Sequence, residues 1–510
     1  YGLADREREI PNTAETVFSL GSVTKQFTAA AVMKLVQQGQ LAPTDTIGQY
    51  IQGVPADKAA ITLHHLLTHT AGIVNYTGDD YESAQAEEIL ETILTTPLDF
   101  EPGSQYNYSN AGYSLLALMV ESVAKQPFEQ FLYEQLLQPA GLEHTGYTRP
   151  DWQDLTVARW YTGDIDNGHA LEKQYPSWHI MGNGEMLSTL DDLHRWHQIL
   201  LTDALLHAPS KDQMFTPFLR DYGYGWRIVE TELGQLIEHN GASDLGSSAL
   251  FRRYVDADLT IILFCNQSFG DTPLVLPLQD KLEQLLAGEE INLPPAVPVP
   301  APDALLPFVG EYGLPSGGRL HVRPTQTHLL LTAEGQDALN MLAFPEQPAE
   351  AYFELNDRTQ EAIAQALEGD YEPLRVFMAN HERRFAPVTN MLNQRISEAE
   401  HHLGVRQEVS AVGTVPSSFV AGALDTIIAV RFERGVAGVV SISDGAQNVG
   451  LTVLEIAQGW SLPCLPTAAD ELIGYHIPLA QTVHLRLHED HQGRQTLSLS
   501  RYEGVTATKL

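Results

Sequence analysis

The sequence predicts an α+β protein built in two parts, a helix-rich region that runs into antiparallel strands and then a β-rich region. Three observations carry this. Residues 15–145 read mainly as helix. From Tyr222 the period becomes strand-like, through runs that end near Asn266. The stretch Leu293-Pro294-Pro295-Ala296-Val297-Pro298-Val299-Pro300-Ala301-Pro302 then interrupts the chain with a stiff, extended linker. The expected boundaries are 1–288 for the first domain, 289–302 for the linker and 303–510 for the second domain. A length of 510 residues suits two or three domains.

Tyr1-Gly2-Leu3-Ala4-Asp5 reads as the end of a strand entering a turn. The chain starts without Met and without a signal-like segment, so a preceding segment is expected. The compartment is therefore unread, with cytoplasmic and periplasmic or secreted bacterial settings both open. A first helix follows Gly21, runs through Ala29-Ala30-Ala31-Val32-Met33 to Gln38, and stops at Gly39. A second begins at Thr62 and is expected to end at Gly72; a third covers Glu87 to Thr95. Phe100 to Tyr113 is a turn-rich loop leading into an apolar helix around Leu115 to Val123. Gly182-Asn183-Gly184 is a loop before a helix capped by Ser188 or Thr189. Four strands follow, near 223–229, 236–239, 248–254 and 259–266, then a helix at 274–286. Past the linker, Phe308 to Leu331 alternates like paired strands, and His476 to Leu497 reads as strands completing the same sheet. Between them, Asp357 to Ile456 is expected to form an inserted α+β unit of two helices and a curled sheet.

Composition excludes some partners. The net charge is −35, from 65 acids against 30 bases, and no lysine occurs between Lys281 and Lys509. Such a surface repels nucleic acid and anionic lipid. It reads as a well-hydrated acidic surface, with adaptation to high salt as the sharper alternative. No apolar run is long enough to span a bilayer as a helix. Two cysteines, Cys265 and Cys464, cannot build a disulfide framework.

The chemistry concentrates in Ser22-Val23-Thr24-Lys25, an S-x-x-K pair where a loop becomes a helix. At that spacing serine and lysine lie one turn apart on one face. The helix N-terminus directs free N–H groups and partial positive charge at the serine oxygen. Lys25 can act as the base for Ser22 only if burial or a cation depresses its pKa from about 10.4. Tyr108-Ser109-Asn110 offers a tyrosine to share the proton, again if its pKa is lowered, and an amide to orient a substrate. His239-Asn240-Gly241 supplies a third wall, with Gly241 allowing close backbone approach. The N–H of Ala242 pairs with that of Ser22 as an expected oxyanion hole.

S-x-x-K, Y-S-N and H-x-G in this order resemble the serine β-lactamase and penicillin-binding-protein superfamily, in its class-C-like branch. That branch includes family VIII carboxylesterases, D-aminopeptidases and DD-peptidases. His65-Leu66-Leu67-Thr68-His69-Thr70-Ala71-Gly72, Phe100-Glu101-Pro102-Gly103 and Tyr224-Gly225-Trp226 agree with it, over roughly residues 1–285. The resemblance implies a β-lactamase/DD-peptidase-like fold, an antiparallel sheet flanked by helices with a helical subdomain. It implies Ser22 as acylated nucleophile, Lys25 and Tyr108 as general bases, and Asn110, His239 and Gly241 as substrate contacts. The family usually opens with a helix and two strands before the Tyr1-Gly2-Leu3 stretch, so these are expected to be missing here. Where β-lactamases of this class carry K-T-G, this chain has His239-Asn240-Gly241. A neutral histidine holds a carboxylate less well than lysine. The expected activity is therefore hydrolysis of short-chain carboxylic esters, with weak β-lactam turnover beside it. D-amino-acid or cell-wall peptide hydrolysis is the alternative enzyme, and an inactive sensor or binding module the alternative of another class. The expected partner is a small ester, amide or β-lactam, with self-association left open.

Other motifs read more plainly. A second S-x-x-K, Ser122 to Lys125, ends a helix and carries no role. His64, His65 and His69 lack an H-E-x-x-H pattern or a third ligand, so neither metal nor organic cofactor is implied. There is no G-x-S-x-G elbow of an α/β-hydrolase. His194 and His197 read as solvated. Phe308-Val309-Gly310-Glu311-Tyr312 and the Gly317-Gly318 turn resemble the lipocalin-like β-domains appended to such hydrolases. This domain is expected to gate substrate or serve assembly. Its deletion with activity, selectivity and oligomeric state all unchanged would remove that idea.

Overall fold

A computed structural model describes the chain apart from residues 163–164, 244, 270–271, 274, 290, 292–301, 316, 325–327, 344–349, 379–381, 417–423, 444–447, 457–460, 477–480 and 500–505. The proline-rich linker expected at 289–302 thus lies almost wholly outside the described residues. Contacts divide the chain into two compact units, Tyr1–Phe269 with Pro273–Val275, and Gly270–Thr272 with Leu276–Leu510.

The first unit is built on the helix Lys25–Gln37, entered through a tight 3-10 turn, Gly21–Thr24. Every residue from Lys25 to Met33 is buried. Small side chains at Ala29, Ala30 and Ala31 let neighbouring helices approach, among them Asn110–Ala124. Phe27 stacks on Trp196 with ring centroids 4.7 Å apart. The helix ends where the sequence places its stop, at Gly39 with φ +71°.

The helix from Thr62 is shorter than its sequence suggests. Thr62 and His65 form a reciprocal capping box, but the helix spans only Leu63–Leu67. His69, at φ +56°, turns the chain into a loop well before Gly72. The helix Asn110–Ala124, by contrast, starts earlier than its apolar run, because Ser109 caps it by accepting from Gly112 N–H.

The sheet of this unit runs Leu259–Cys265, Ser248–Tyr254, Gly234–Ala242, Arg227–Thr231, all antiparallel. In this register His239 faces Phe251, Gly241 faces Ala249 and Ala242 faces Ser248. His239 and Gly241 share one face of their strand. That face meets the turn Gly21–Thr24, where a side chain would not fit. A methyl on Gly241 would lie 2.5 Å from Ser22 N, and one on Gly21 would lie 2.7 Å from Ala242 N.

The second unit contains a closed eight-stranded antiparallel barrel. Its strands are Gly310–Gly313, Arg319–Pro324, Leu329–Glu334, Ser461–Ala468, Glu471–His476, Gln481–Glu489, Gln495–Leu499 and Thr506–Lys509. Tyr312 opposite Lys509 closes the ring. Alternating residues such as Leu320, Val322, Leu329, Leu331, Leu485 and Leu497 fill it. Between the third and fourth strands sits an insertion of helices and a four-stranded sheet, Arg406–Pro416, Leu424–Phe432, Gly435–Ser443 and Asn448–Ile456. Helix begins at Gln336, ahead of the expected 357, since Gly335 at φ +91° ends the barrel strand. Gln336 ties the insertion down: its Nε2 donates to Thr414 O at 3.1 Å and its Oε1 accepts Thr414 N–H at 2.7 Å. The helix Val275–Leu286, expected to close the first domain, falls with the second unit from Leu276 onward.

Candidate active site

The fold brings Ser22, Lys25, Tyr108, Asn110, His239, Gly241 and Ala242 to one place. Ser22 occupies the second position of the 3-10 turn, where leading N–H groups have no acceptor within the helix. The turn is held by Leu20 N–H donating to Met186 O at 2.8 Å, and by Gly21 N–H donating to Ser19 Oγ at 3.2 Å. The bare backbones of Gly21 and Gly241 let the Ser22 and Ala242 amides approach each other. Two amides so placed can stabilise one oxyanion.

Lys25 is fully buried. Its Nζ lies 3.1 Å from Ser22 Oγ and donates to Asn110 Oδ1 and to Asn183 O, each at 2.6 Å. It also lies over the Tyr108 ring, 4.7 Å from the centroid. Burial holds the Lys25 pKa well below the ordinary lysine value, against the opposing pull of Asp80 and Glu185. A neutral amine has two N–H groups, and the two oxygen acceptors take both. In that neutral form the lone pair would face Ser22 Oγ, 3.1 Å away.

The Tyr108 hydroxyl lies near enough to Ser22 for that neighbour to lower its pKa. The condition set by the sequence, a lowered tyrosine pKa, is not met. Burial pushes the phenol well above its ordinary value, and the Ser22 contact opposes this only in part. Tyr108 at rest is a proton donor, not a phenolate.

Asn110 is turned inward. Its oxygen accepts from Lys25, its Nδ2 donates to Asn75 Oδ1 at 3.2 Å and its backbone N–H donates to the same oxygen at 3.1 Å. The expected substrate amide is therefore engaged in orienting the lysine. His239 is likewise engaged at both ring nitrogens. Nδ1–H donates to Asn240 O at 2.6 Å, which leaves Nε2 to accept from Tyr222 Oη at 2.8 Å. Burial, then the charge of Lys25, bring the His239 pKa down to about 3. The third wall is neutral at this position.

Several residues escape sequence reasoning. Asn183 contributes a backbone carbonyl, which has no sequence signature, and Glu185 lies beside it with φ +60°. Tyr222 Oη fills the His239 Nε2 that the Asn240 carbonyl leaves free to accept. His69 is buried: its Nδ1 accepts Ser109 N–H at 3.1 Å, its O accepts Asn107 N–H at 2.9 Å, and its ring lies 4.2 Å from that of Tyr108. Among the described residues no group of three or more His, Cys, Asp or Glu side chains is placed to hold a metal. The second S-x-x-K is spent on structure, since Ser122 Oγ donates to Tyr50 O at 3.0 Å and Lys125 ends its helix at φ +57°.

Comparison with known proteins covers the region that carries these residues. The β-lactamase family model matches residues 1–284. Penicillin-binding protein 4* of Bacillus subtilis (strain 168) is 27% identical over 376 residues, covering 68% of this chain and 82% of that protein. The putative penicillin-binding protein PbpX of the same organism is 27% identical over 231 residues, covering 45% of this chain and 58% of its own length. The octameric penicillin-binding protein homologue from Pyrococcus abyssi aligns over 100% of this chain and 92% of that chain, with TM-score 0.51 and 17% identity, a likeness of fold.

Proposed function

The chain belongs to the β-lactamase family, as a serine hydrolase of the β-lactamase/DD-peptidase fold with a C-terminal β-barrel, and from that premise we propose that it is a carboxylesterase working through an acyl-enzyme on Ser22. The observation that carries this reading is the Lys25 amine, fully buried, 3.1 Å from Ser22 Oγ and held between two oxygen acceptors, with burial pulling its pKa down. Ser22 Oγ attacks the ester carbonyl as Lys25 Nζ takes its proton. The carbonyl oxygen, now negative, lies between the Ser22 and Ala242 amides. Tyr108, protonated at rest, gives its proton to the departing alkoxide and is resupplied from Lys25. Water then enters where the alcohol left, and the same groups run in reverse to release the acid.

The neutral wall at His239 supports an ester with an uncharged leaving group over a substrate held by a carboxylate. With Nε2 and Nδ1 both occupied and the ring uncharged, His239 offers no cation at the position where a β-lactamase has lysine. The names of the two Bacillus subtilis relatives, a penicillin-binding protein and a putative one, favour a second reading, action on β-lactams or cell-wall peptides.

A panel of nitrophenyl butyrate, nitrocefin and a D-Ala anilide separates the readings. The expected order is butyrate ester first and nitrocefin slow, with all turnover lost in Ser22→Ala. Preference for the anilide would establish the peptidase instead. No turnover of any member, with ligand binding retained, would establish a binding module.

A further inference from the structure

We propose that Glu185 is a positioning residue for acylation, which holds the turn carrying Ser22 and belongs to the short loop whose Asn183 carbonyl holds Lys25. The inference rests on the acyl-enzyme reading above and adds a residue to it. Glu185 is buried and adopts φ +60°, the left-handed region that favours glycine. A buried carboxylate in that conformation costs both strain and desolvation, so its partners must compensate.

Those partners lead to the nucleophile. Ser19 Oγ donates to Glu185 Oε2. The same Oγ accepts the Gly21 N–H at 3.2 Å. A chain of carboxylate, hydroxyl and amide thus runs from Glu185 to the residue before Ser22. The backbone around Glu185 is fixed in turn, with Tyr175 Oη donating to Glu185 O at 2.8 Å and Tyr147 Oη to Gly184 O at 3.2 Å. Two residues earlier, Asn183 O accepts from Lys25. One short loop, 183–185, therefore grips both members of the Ser22–Lys25 pair.

The electrostatics agree. The groups facing Lys25 are Tyr108 and Tyr113 from one segment, His69 and His239 from two others, Asp80 from a loop, and Glu185. Burial keeps both histidines below, and both tyrosines above, their ordinary pKa values, so none of these carries charge near neutrality. Asp80 and Glu185 are the groups that favour the ammonium form of Lys25. Around Glu185 stand Tyr81, Tyr147 and Tyr175, all held protonated by burial. When Lys25 takes the Ser22 proton, a cation forms in a dry site, and an ionised Glu185 favours that form.

The test follows the rate of Ser22 labelling by a fluorophosphonate against pH, in the full-length wild type, Glu185→Gln and Glu185→Gly. Labelling needs neutral Lys25, so its rate rises with pH through the lysine titration. Glu185→Gln keeps an oxygen for Ser19 Oγ and cannot ionise. Its rising limb is expected at lower pH, with a limiting rate about tenfold lower because the base is weaker. Glu185→Gly relieves the left-handed strain, so its melting temperature should equal or exceed that of the wild type. It loses the grip on Ser19, and its labelling should fall about a hundredfold. That combination separates positioning from folding. A Gln variant with an unmoved limb and a rate within about twofold, or a Gly variant labelled as fast as wild type, would overturn the proposal alone. A wild type that is never labelled at Ser22 would overturn the acyl-enzyme reading and this proposal with it.

Discussion

At the scale of single residues, the site depends on charge states that burial imposes. Burial pulls the Lys25 pKa well below the ordinary lysine value, pushes that of Tyr108 well above its own, and holds His239 uncharged near neutrality. His239 makes this measurable in stability. Its folded pKa is about 3 against an ordinary 6.5. Between those values the unfolded chain binds a proton that the folded chain refuses. Stability therefore falls as pH drops from 6.5 toward 3, by about 1.4 kcal/mol per pH unit at most from this group. Above the ordinary value the contribution is flat. His239→Asn should melt with a shallower acid dependence than the wild type over that window, checked by thermal scans across pH. Parallel curves would contradict the assigned charge state.

The same scale explains what the sequence discloses and what it hides. Ser22, Lys25, Tyr108 and Gly241 are legible because reactive side chains and a glycine occupy fixed places relative to helix starts and strands. Asn110 and His239 are legible as members of the site, but not in what they touch, since each spends its polar atoms on protein neighbours. Asn183 acts through a carbonyl that every residue has. Glu185 and His69 act through burial and left-handed backbone, neither of which a motif encodes.

At the scale of elements, the central contact is backbone on backbone. The turn Gly21–Thr24 lies on the strand Gly234–Ala242 with no side chain between Gly21 and Gly241. Gly241→Ala would set a methyl 2.5 Å from Ser22 N. The strand must retreat, and the Ala242 amide retreats with it. Loss of one oxyanion donor costs about 10²–10³-fold in rate. Gly241→Ala should therefore lose labelling at Ser22 by about that factor while keeping its far-UV circular dichroism, because the remaining strand register is untouched. Wild-type labelling in this variant would remove the close contact from the account. Elements were readable where their ends carry caps or glycines, as at Gly39 and Thr189. They were misread where a tertiary contact set the end. The helix after Thr62 stops at Leu67 because His69 turns to support Tyr108. His197, read as solvated, instead accepts from Arg253 Nε at 3.2 Å, since its helix lies on the strand that begins at Leu259.

At the scale of the whole molecule, each of the two units has a core of its own. One surrounds the helix Lys25–Gln37 and the other fills the barrel, with a third beneath the helices of the insertion. The barrel was half legible: its first strands and its last alternate visibly. Its closure was not, because Ser461–Ala468 returns only after the insertion to pair with Leu329–Glu334. Long-range pairing leaves no local period. A net charge of −35 acts on the molecule as a whole. Self-repulsion opposes compaction, and salt screens it over a Debye length that shrinks from about 10 Å at 0.1 M to about 3 Å at 1 M. Melting temperature should rise as sodium chloride is raised across that range, read by scanning calorimetry. A flat or falling response would mean that the acidic surface carries no net repulsive strain.

The central claim is that Ser22 becomes acylated under the influence of Lys25. Incubation of the full-length protein with a fluorophosphonate, followed by peptide mapping in a mass spectrometer, tests it most directly. A single adduct on the peptide containing Ser22, absent in Ser22→Ala and reduced about 10²–10⁴-fold in rate in Lys25→Met, is the predicted result. An adduct on any other serine, or labelling that survives Ser22→Ala, would contradict it.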